Sequence, residues 1–569
     1  DGFLTALALE RGSVLAGFPG DEHRLGIYHD QLRGALLAAL APDETRGLHG
    51  DLAEALEQAP RRDLELLLGH LLGAGRNPRA IEVAVDAAEQ ATARLAFDRA
   101  AVLLQRALDA GTTGPQRVEL LRRQGQAWRD AGIGARAAES FHQAASLADT
   151  ASDDAQADTL WADAAEEMVR HGRTDEGEQV FRRLLRRSKV SLPRRPATAM
   201  LLGLARRVRL WWRGLDGPIV DVANLDPAAR ARQELMWKAA NSLSLSRFPF
   251  SFCLLGQLVL EALADGNRLQ LVRTLGSEAA FSAALGGRFA RRADTLMHRL
   301  DELVQPDAAP ELRAGLHSFR ALVAWNRGRF RDAVTDCDAF CELVRRELPG
   351  RAWELAVIEV HACSALFHLG DVAALSNRVP AALAAALDRG DRFAANHLRL
   401  GDAGSYLLLR NEPALARKVL AEAEADLSLG PSIETYYYTL LKLRVELHEG
   451  HHADAWAAIE RLWPALTAGQ IFAVEMARCL LHHLRGRTML GLLGERPSAK
   501  LRRRHELELD RSLAVLQKAT IPVGPALAAD LHASRVALTG DPEQTRQARS
   551  AAAELLARAH LSLPLPPVR

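Results

Sequence analysis

The stretch that decides the fold runs from Glu119 to Ala148 and reads ELLRRQGQAWRDAGIGARAAESFHQAASLA. Its first half places apolar and small residues on one helical face, two glycines then break the chain, and its second half forms another such face. These residues are Leu121, Gly125, Trp128, Gly132, Gly134, Ala137, Phe141 and Ala144. The pattern predicts a helix, a turn and a second helix, with small residues where the helices approach and an aromatic ring filling the gap.

The same register recurs along the chain. The copies use Ala84, Ala88, Phe97, Ala100, Leu104 and Ala107; Trp161, Ala165, Met168, Gly177, Phe181 and Leu184; Ala321, Ala324, Gly328, Phe330, Ala333, Cys337 and Phe340; and, more weakly, Leu443, Gly450, Ala455, Ile459 and Leu462. This pattern resembles the tetratricopeptide repeat, whose period is about 34 residues. One hairpin cannot bury its apolar face alone, so the repeats must stack. A generic helical bundle would share the apolar spacing but not the paired small residues and turn glycines.

The fold class that follows is all-α, a tetratricopeptide-like superhelix of helical hairpins (an α-solenoid), preceded by a small winged-helix-like segment. Of 569 residues, 48% are hydrophobic and 25% charged, which are ordinary globular values. A single core stops growing near about 250–300 residues, so the chain must divide or extend. Lysine and arginine number 72 against 71 acidic residues, and no global field attracts nucleic acid or an anionic membrane.

Cysteine content and hydropathy indicate the compartment. The five cysteines are few and odd in number, which indicates reducing surroundings rather than a disulfide framework. No stretch reaches the ~18 uncharged apolar residues of a membrane helix, and no signal pattern opens the sequence. We therefore expect a cytoplasmic protein without membrane contact. Because the sequence begins at Asp1 rather than Met, we expect it to be the carboxy-terminal part of a longer chain.

The first sixty residues differ from the repeats. Two short strand-like runs, 14–16 and 25–28, flank a Pro-Gly-Asp turn. Asp30 then N-caps a predicted helix with a leucine stripe, and a second helix is predicted from Thr45. A β-wing beside helices is typical of the end of a winged-helix domain.

Several segments carry a family resemblance, and they are 28–33 (YHDQLR), 48–53 (LHGDLA), 95–101 (LAFDRAA), 205–210 (ARRVRL), 378–380 (RVP) and 434–438 (ETYYY). The chain resembles the winged-helix and tetratricopeptide region of bacterial serine/threonine protein kinases that carry an AAA-type ATPase of the STAND class, the signal-transduction ATPases with numerous domains. The resemblance implies that His29, with its neighbour Asp30, contacts the nucleotide of an ATPase domain and senses its state. A simpler interpretation makes His29 a strand-end residue and Asp30 a helix cap.

No catalytic motif is present in the sequence. The chain lacks a P-loop, a Gly-x-Ser-x-Gly elbow and the kinase motifs, so we predict neither an enzyme nor a cofactor in this chain. Zinc ligands are conceivable at Cys337, Cys341, His361 and Cys363, but the first two lie at core positions of one helix. We therefore predict buried structural cysteines and no metal site.

The segment from Phe181 to Arg213 contains ten arginines and one lysine, no acidic residue and a tandem tryptophan. We predict partner-binding residues at its end, listed here as Arg206, Arg207, Arg209, Trp211, Trp212 and Arg213. One interpretation is a docking surface for an anionic partner, such as an acidic protein segment, a phosphorylated loop or nucleic acid. The alternative is a face whose arginines pair with acids of the array while the tryptophans pack inward.

The predicted organisation is a winged-helix-like end (1–60), repeats (61–190), a basic linker or irregular helices (191–235), further repeats (236–495), capping helices (496–558) and a proline-rich tail (559–569). The function expected is an interaction and sensor scaffold that transmits binding to upstream ATPase and kinase domains of the same polypeptide. Its protein or small-molecule ligand would bind a groove over Glu311–Leu466. The alternative is the sensor array of an ATPase-type transcriptional regulator. We expect no nucleic-acid partner.

Overall fold

The computed structural model describes residues 15–18, 21–27, 39–60, 62–151, 153–220, 224–244, 246–427, 429–540 and 542–562. The chain divides into two compact units, Asp1–Ala127 and Trp128–Arg569. Helices connected by short turns make up most of both units, and the predicted all-α helical-repeat class is confirmed.

The first unit opens with a β-hairpin and continues as helices. Strands β1 (Leu15–Phe18) and β2 (Asp21–Ile27) pair antiparallel, with Leu15 opposite Ile27. The helices are α1 (Pro42–Gln58), α2 (Leu64–Gly73), α3 (Asn77–Ala93), α4 (Phe97–Asp109) and the start of α5 (Gly114–Asp130). The strands and the helix predicted around Thr45 are therefore present, whereas the helix predicted from Asp30 falls outside the described residues.

Polar side chains mark where the first helices begin. The carboxylate of Glu44 accepts a hydrogen bond from the Ala41 backbone N–H at 3.0 Å, before α1. The side chain of Asp63 accepts from the backbone N–H groups of Glu65 and Leu66, each at 3.1 Å, before α2. Such caps satisfy donors that have no partner inside the helix.

The second unit is a longer array of helices. They are α6 (Gly134–Thr150), α7 (Asp154–Arg170), α8 (Thr174–Arg187), α9 (Pro196–Arg213), α10 (Pro227–Leu243), α11 (Phe248–Asp265), α12 (Arg268–Leu285), α13 (Ala290–Leu303), α14 (Pro310–Asn326), α15 (Phe330–Glu347), α16 (Ala352–Leu369), α17 (Val372–Asp388), α18 (Arg392–Arg399), α19 (Gly401–Gly404), α20 (Tyr406–Leu409), α21 (Pro413–Asp426), α22 (Ile433–Glu449), α23 (His452–Ala468), α24 (Glu475–Gly494), α25 (Ala499–Gln517), α26 (Val523–Thr539) and α27 (Pro542–Arg558). Most pack against their sequence neighbours, and α12 with α14 and α24 with α26 show the next-but-one contacts of a stacked hairpin array.

Two glycines show why the repeat pattern produces this structure. Gly132 has a φ of 78°, a left-handed conformation that suits glycine, in the predicted turn between α5 and α6. At Gly177, a Cβ atom would lie 2.5 Å from Val169 Cγ2 and 2.8 Å from the Ala165 carbonyl oxygen. The small residue therefore permits the close approach of α7 and α8 that the sequence predicts, and Phe181 beside it is fully buried.

The array also makes contacts between helices that are far apart in sequence. The guanidinium of Arg170 in α7 lies 4.2 Å from the ring centroid of Trp353 in α16. The Ser562 backbone N–H donates to the His368 carbonyl at 2.6 Å. One hydrophobic core joins Ala324, Phe330, Ala333 and Ala365 to Val523, Ala559 and Leu561. The chain's own later helices therefore pack against parts of the range Glu311–Leu466, where the groove is expected.

Two segments differ from the linker and tail that the sequence predicts. Where 191–235 is predicted to be a linker or irregular helices, α9 is a regular helix of 18 residues that packs on α11. In the predicted tail, Leu561 is buried and Ser562 is bonded to α16, whereas 563–569 lie outside the described residues. Sequence periodicity missed α9 because its exposed face is apolar, which is the reverse of an ordinary surface helix.

Two helices of the described chain, α11 and α16, are long and apolar enough by length and composition to cross a membrane. Both contain acidic residues, and 61% of the apolar window of α11 and 50% of that of α16 are buried inside the array. Core helices of helical proteins meet the same criteria, so these two helices are weak evidence for membrane spans.

Candidate partner-binding surface

Helix α9 presents a row of large apolar side chains to solvent. Leu201, Trp211 and Trp212 are 70%, 69% and 79% exposed, and Leu204 and Val208 are at least half exposed. We call these five residues the α9 stripe. Their spacing of three and four residues places them on one side of the helix. A contiguous exposed apolar patch of this kind marks an interaction site more often than scattered surface leucines do.

The opposite side of α9 packs against α11 through two small residues and a leucine. Ala199, Gly203 and Leu210 are buried, and a Cβ atom on Gly203 would lie 2.6 Å from Phe252 Cδ1. Glycine therefore lets the two helices approach closely at this point. The stripe points outward because the face with the small residues fits the core better.

Arg207 anchors this packed side through a charge pair. Its Nε donates to Glu278 Oε2 at 3.0 Å, its Nη2 pairs with the other carboxylate oxygen, and its Nη1 donates to the Phe252 carbonyl at 2.8 Å. The guanidinium also lies over the Phe252 ring, 3.3 Å from its centroid. Burial lowers the pKa of Arg207, and the charge of Glu278 opposes that effect.

The neighbouring arginines differ in how they are used. Arg206 donates to the Cys253 carbonyl at 2.8 Å and to Gln257 Oε1 at 2.7 Å. Arg213 donates to backbone carbonyls, among them those of Asp216 at 2.7 Å and Leu263 at 3.0 Å. Arg209 is exposed and has no carboxylate partner in the described part of the chain. Positive charge therefore stays uncompensated at the carboxy-terminal end of the α9 stripe.

These positions divide the six predicted partner-binding residues into two groups. The side chains of Arg206, Arg207 and Arg213 are engaged within the array, whereas Arg209, Trp211 and Trp212 face solvent. The alternative in which the tryptophans pack inward is wrong. Sequence reasoning missed Leu201, Leu204 and Val208, although their helical spacing with the tryptophans was a signal that could have identified them.

The structure describes only some of the other residues that the sequence analysis considered. His29 and Asp30 lie outside the described residues. All five cysteines are buried free thiols, and burial was predicted for Cys337, Cys341 and Cys363. Burial raises the pKa of the Cys363 thiol to about 12 and that of Cys341 to about 11, which disfavours the thiolate that zinc requires. The His361 Nδ1 lies 2.8 Å from the Val357 carbonyl oxygen in its own helix.

Among the residues that the structure describes, one other cluster has the composition of a metal site. Glu446, Glu449 and His451 bring ligand atoms together within 4.8 Å of one another. Arg417 contacts both carboxylates, and Lys442 Nζ lies 2.6 Å from Glu446 Oε1. Two cations of the chain thus already neutralise these acids, and they hold the pKa of Glu446 at about 2 although burial would raise it.

Comparison with known proteins does not identify a family for this chain. No protein-family model matches the chain, and no curated protein matches it. A solved structure described as a "Circular tandem repeat protein with novel repeat topology and enhanced subunit contact surfaces" is similar over 91% of this chain and 97% of its own, with 15% identity and a TM-score of 0.15. A TM-score this low carries no argument, so the class rests on the helix packing described above. That class, an all-α helical-repeat array, is typical of non-catalytic interaction scaffolds.

Proposed function

We propose that the chain is a protein-interaction scaffold that binds an acidic amphipathic helix of a partner protein along the α9 stripe. The observation that supports this proposal is the row of five large apolar side chains exposed on one helix. A partner helix would pair its own apolar ridge with them, in the spacing of three and four residues that helix recognition uses. Tryptophans of such surfaces commonly contribute most of the binding energy.

The charge beside the stripe favours an acidic partner. Arg209 lacks a carboxylate partner among the described residues, and the hydrogen bonds of Arg213 to backbone carbonyls leave its charge uncompensated. An acidic side chain at the edge of the partner's apolar ridge would meet both. Complementary charge raises the association rate and rejects basic partners.

A designed peptide tests this proposal. The probe is a fluorescein-labelled helix of about three heptads with leucine at the a and d positions and glutamate at e and g. Its binding to the full chain is measured by fluorescence anisotropy. Replacing both tryptophans, Trp211→Ser with Trp212→Ser, is expected to weaken binding at least about ten-fold, because two hot-spot side chains are lost. A peptide with lysine in place of glutamate should bind at least about ten-fold more weakly.

The matched control is Leu507→Ser in α25, which removes a leucine that is half exposed and far in sequence from the α9 stripe. This control should change the dissociation constant less than about two-fold. Equal binding of the acidic and basic peptides, or an equal effect of the control, would refute the proposal. Sedimentation velocity provides a second test. If the chain forms a dimer and the tryptophan variant does not, the α9 stripe binds a second copy of the chain instead.

We further propose that this scaffold belongs to a signalling serine/threonine kinase that also carries an ATPase, and that it transmits partner binding to those domains. The support is the sequence resemblance of 28–33, 48–53 and 434–438. The coding sequence upstream of the Asp1 codon provides the test. Kinase and P-loop motifs there would support the proposal, whereas their absence would refute it and leave the scaffold alone. An ATPase followed by a helix-turn-helix would favour the transcriptional regulator.

A further inference from the structure

A basic cavity lies among helices α6, α7 and α8 and the segment that precedes α9. Its volume is about 670 Å³, which is within the ~300–1,000 Å³ of small-molecule sites. Five arginines line it, and the only acidic residue in its lining is Glu176; the arginines are Arg173, Arg182, Arg183, Arg186 and Arg194. This cavity is separate from the α9 stripe, and its assignment does not depend on the proposed function.

Two of the five arginines are already neutralised. Arg173 forms two hydrogen bonds with Glu176, at 2.9 and 2.6 Å. Arg182 donates to Glu178 at 2.7 Å and to the Pro193 carbonyl at 3.1 Å, which ties the segment after α8 to that helix. These two side chains therefore shape the wall of the cavity but add little uncompensated charge.

The other three arginines, Arg183, Arg186 and Arg194, are exposed and pair with no carboxylate in the described ranges of the chain. The nearby Asp158 is paired with Arg187, at 2.6 Å, and neither of these two residues lines the cavity. Three positive charges thus lie around one volume with no carboxylate paired to them, and Asp158 is close enough to Arg183 to offset only part of its charge. Such an arrangement raises the local concentration of anions.

The guanidinium of Arg183 is held in place before any ligand arrives. It lies over the Trp161 ring, 4.6 Å from the centroid, and the indole Nε1 donates to Asp149 Oδ2 at 2.7 Å. His142 meets the same indole edge-on, with 5.0 Å between ring centroids. A planar guanidinium that is stacked in this way loses little freedom when it bonds an anion.

The lining also has an apolar side. Met168, Val180 and Leu192 lie there with the Trp161 indole, and the polar Gln179 and His142 complete the lining. The cavity thus has a charged side suited to phosphate oxygens and an apolar side suited to an organic group. Sites with this division fix an anion by charge-assisted hydrogen bonds and select the organic part by contact.

We propose that this cavity binds an organic diphosphate, with the diphosphate group at Arg183, Arg186 and Arg194 and the organic group against the apolar wall. A phosphate monoester has a charge of about −1.5 to −2 near neutral pH. One phosphate would leave part of three positive charges unmatched, whereas a diphosphate ester balances them. An extended acidic peptide would need a longer groove than this local cavity.

Isothermal titration calorimetry on the full chain tests the assignment, with ADP, inorganic pyrophosphate and adenosine as probes. We expect ADP to bind at one site and adenosine not to bind. Pyrophosphate should bind at least about three-fold more weakly than ADP, because it lacks the organic group. The double variant Arg183→Gln/Arg186→Gln should weaken ADP binding at least about ten-fold, because two charge-assisted contacts are lost.

Arg195→Gln is the matched control. Arg195 is exposed in the same basic segment but does not line the cavity, so its loss should change ADP affinity less than about two-fold. All three substitutions are at exposed positions, and circular dichroism checks that the fold persists. The proposal is overturned if ADP shows no saturable binding, or if Arg195→Gln weakens binding as much as the double variant. A doubly phosphorylated peptide serves as a fourth probe. The proposal is also overturned if this peptide binds better than ADP, or if pyrophosphate binds as well as ADP.

Discussion

Replacing Asp402 with asparagine is expected to destabilise the middle of the array. Asp402 is fully buried in α19, where that short helix meets α16 and α22. Arg444 Nη2 lies 2.7 Å from its Oδ1, and His368 Nε2 lies 3.2 Å from its Oδ2. The Ser364 hydroxyl donates to Oδ2 at 2.6 Å. One carboxylate therefore joins three helices.

The size of the destabilisation follows from the burial of both charged side chains. The side chains of Asp402 and Arg444 are 2% and 4% exposed, so asparagine at 402 would leave the arginine charge buried without its counter-ion. Removing one partner of a buried pair costs about 3–5 kcal/mol. The exposed pair of Glu460 and Arg504 provides a control, because Glu460→Gln should cost less than about 1 kcal/mol.

The stabilisation that Asp402 contributes should decrease at low pH. Burial alone would raise the pKa of Asp402, but the charges of His368 and Arg444 hold it well below its usual range. A depressed carboxyl pKa contributes stability that is present above the unfolded value of about 3.9 and is lost as pH falls below it. The difference in stability between the wild type and Asp402→Asn should therefore shrink below that pH.

Hydrogen-exchange mass spectrometry measures the effect where it should occur. Peptides covering Ala352–Leu369 and Ile433–Glu449 should exchange roughly two to three and a half orders of magnitude faster in Asp402→Asn, since each ~1.4 kcal/mol is ten-fold. Peptides from α6 should change little. A change below about ten-fold in the first two helices would refute the reasoning that this carboxylate holds them together.

Three further predictions concern packing and exposure. Gly177→Val should lower the thermal midpoint by circular dichroism, at a cost of about 1–3 kcal/mol or more, because its Cβ would overlap Val169. The double variant Trp211→Ser/Trp212→Ser should change the free energy of unfolding by less than about 0.5 kcal/mol and leave the midpoint nearly unchanged. A fall of several degrees would show that the indoles pack in the core. Ellman's reagent should modify less than one thiol in the native chain at about pH 8, and all five after denaturation, because burial raises the cysteine pKa values.

Much of the repeat architecture could be predicted because its signals are local. The glycine turn near Gly132 and the close approach at Gly177 depend on residues a few positions away. The burial of Phe181 and Cys337 follows from their place in the same period. These local patterns were sufficient to predict the helical-repeat class.

The candidate surface could be predicted only in part. The sequence identified the arginines and tryptophans between Arg206 and Arg213 but not which of them face solvent. Arg207 is largely covered because Glu278, 71 residues later, supplies its counter-charge. The basic cavity was missed for the same reason, since Trp161 and Arg194 come together only when α7 and α8 pack.

The helices, their turns and the stacking of hairpins could be predicted from local sequence, because helical period and glycine conformation are properties of neighbouring residues. Which side of α9 is covered depends instead on contacts with distant residues. That helix has two usable faces, one with small residues and arginines and one with leucine, valine and tryptophan. The first face is buried because α11 and α12 provide carbonyls, a carboxylate and room for close approach, and the apolar face is consequently left for a partner.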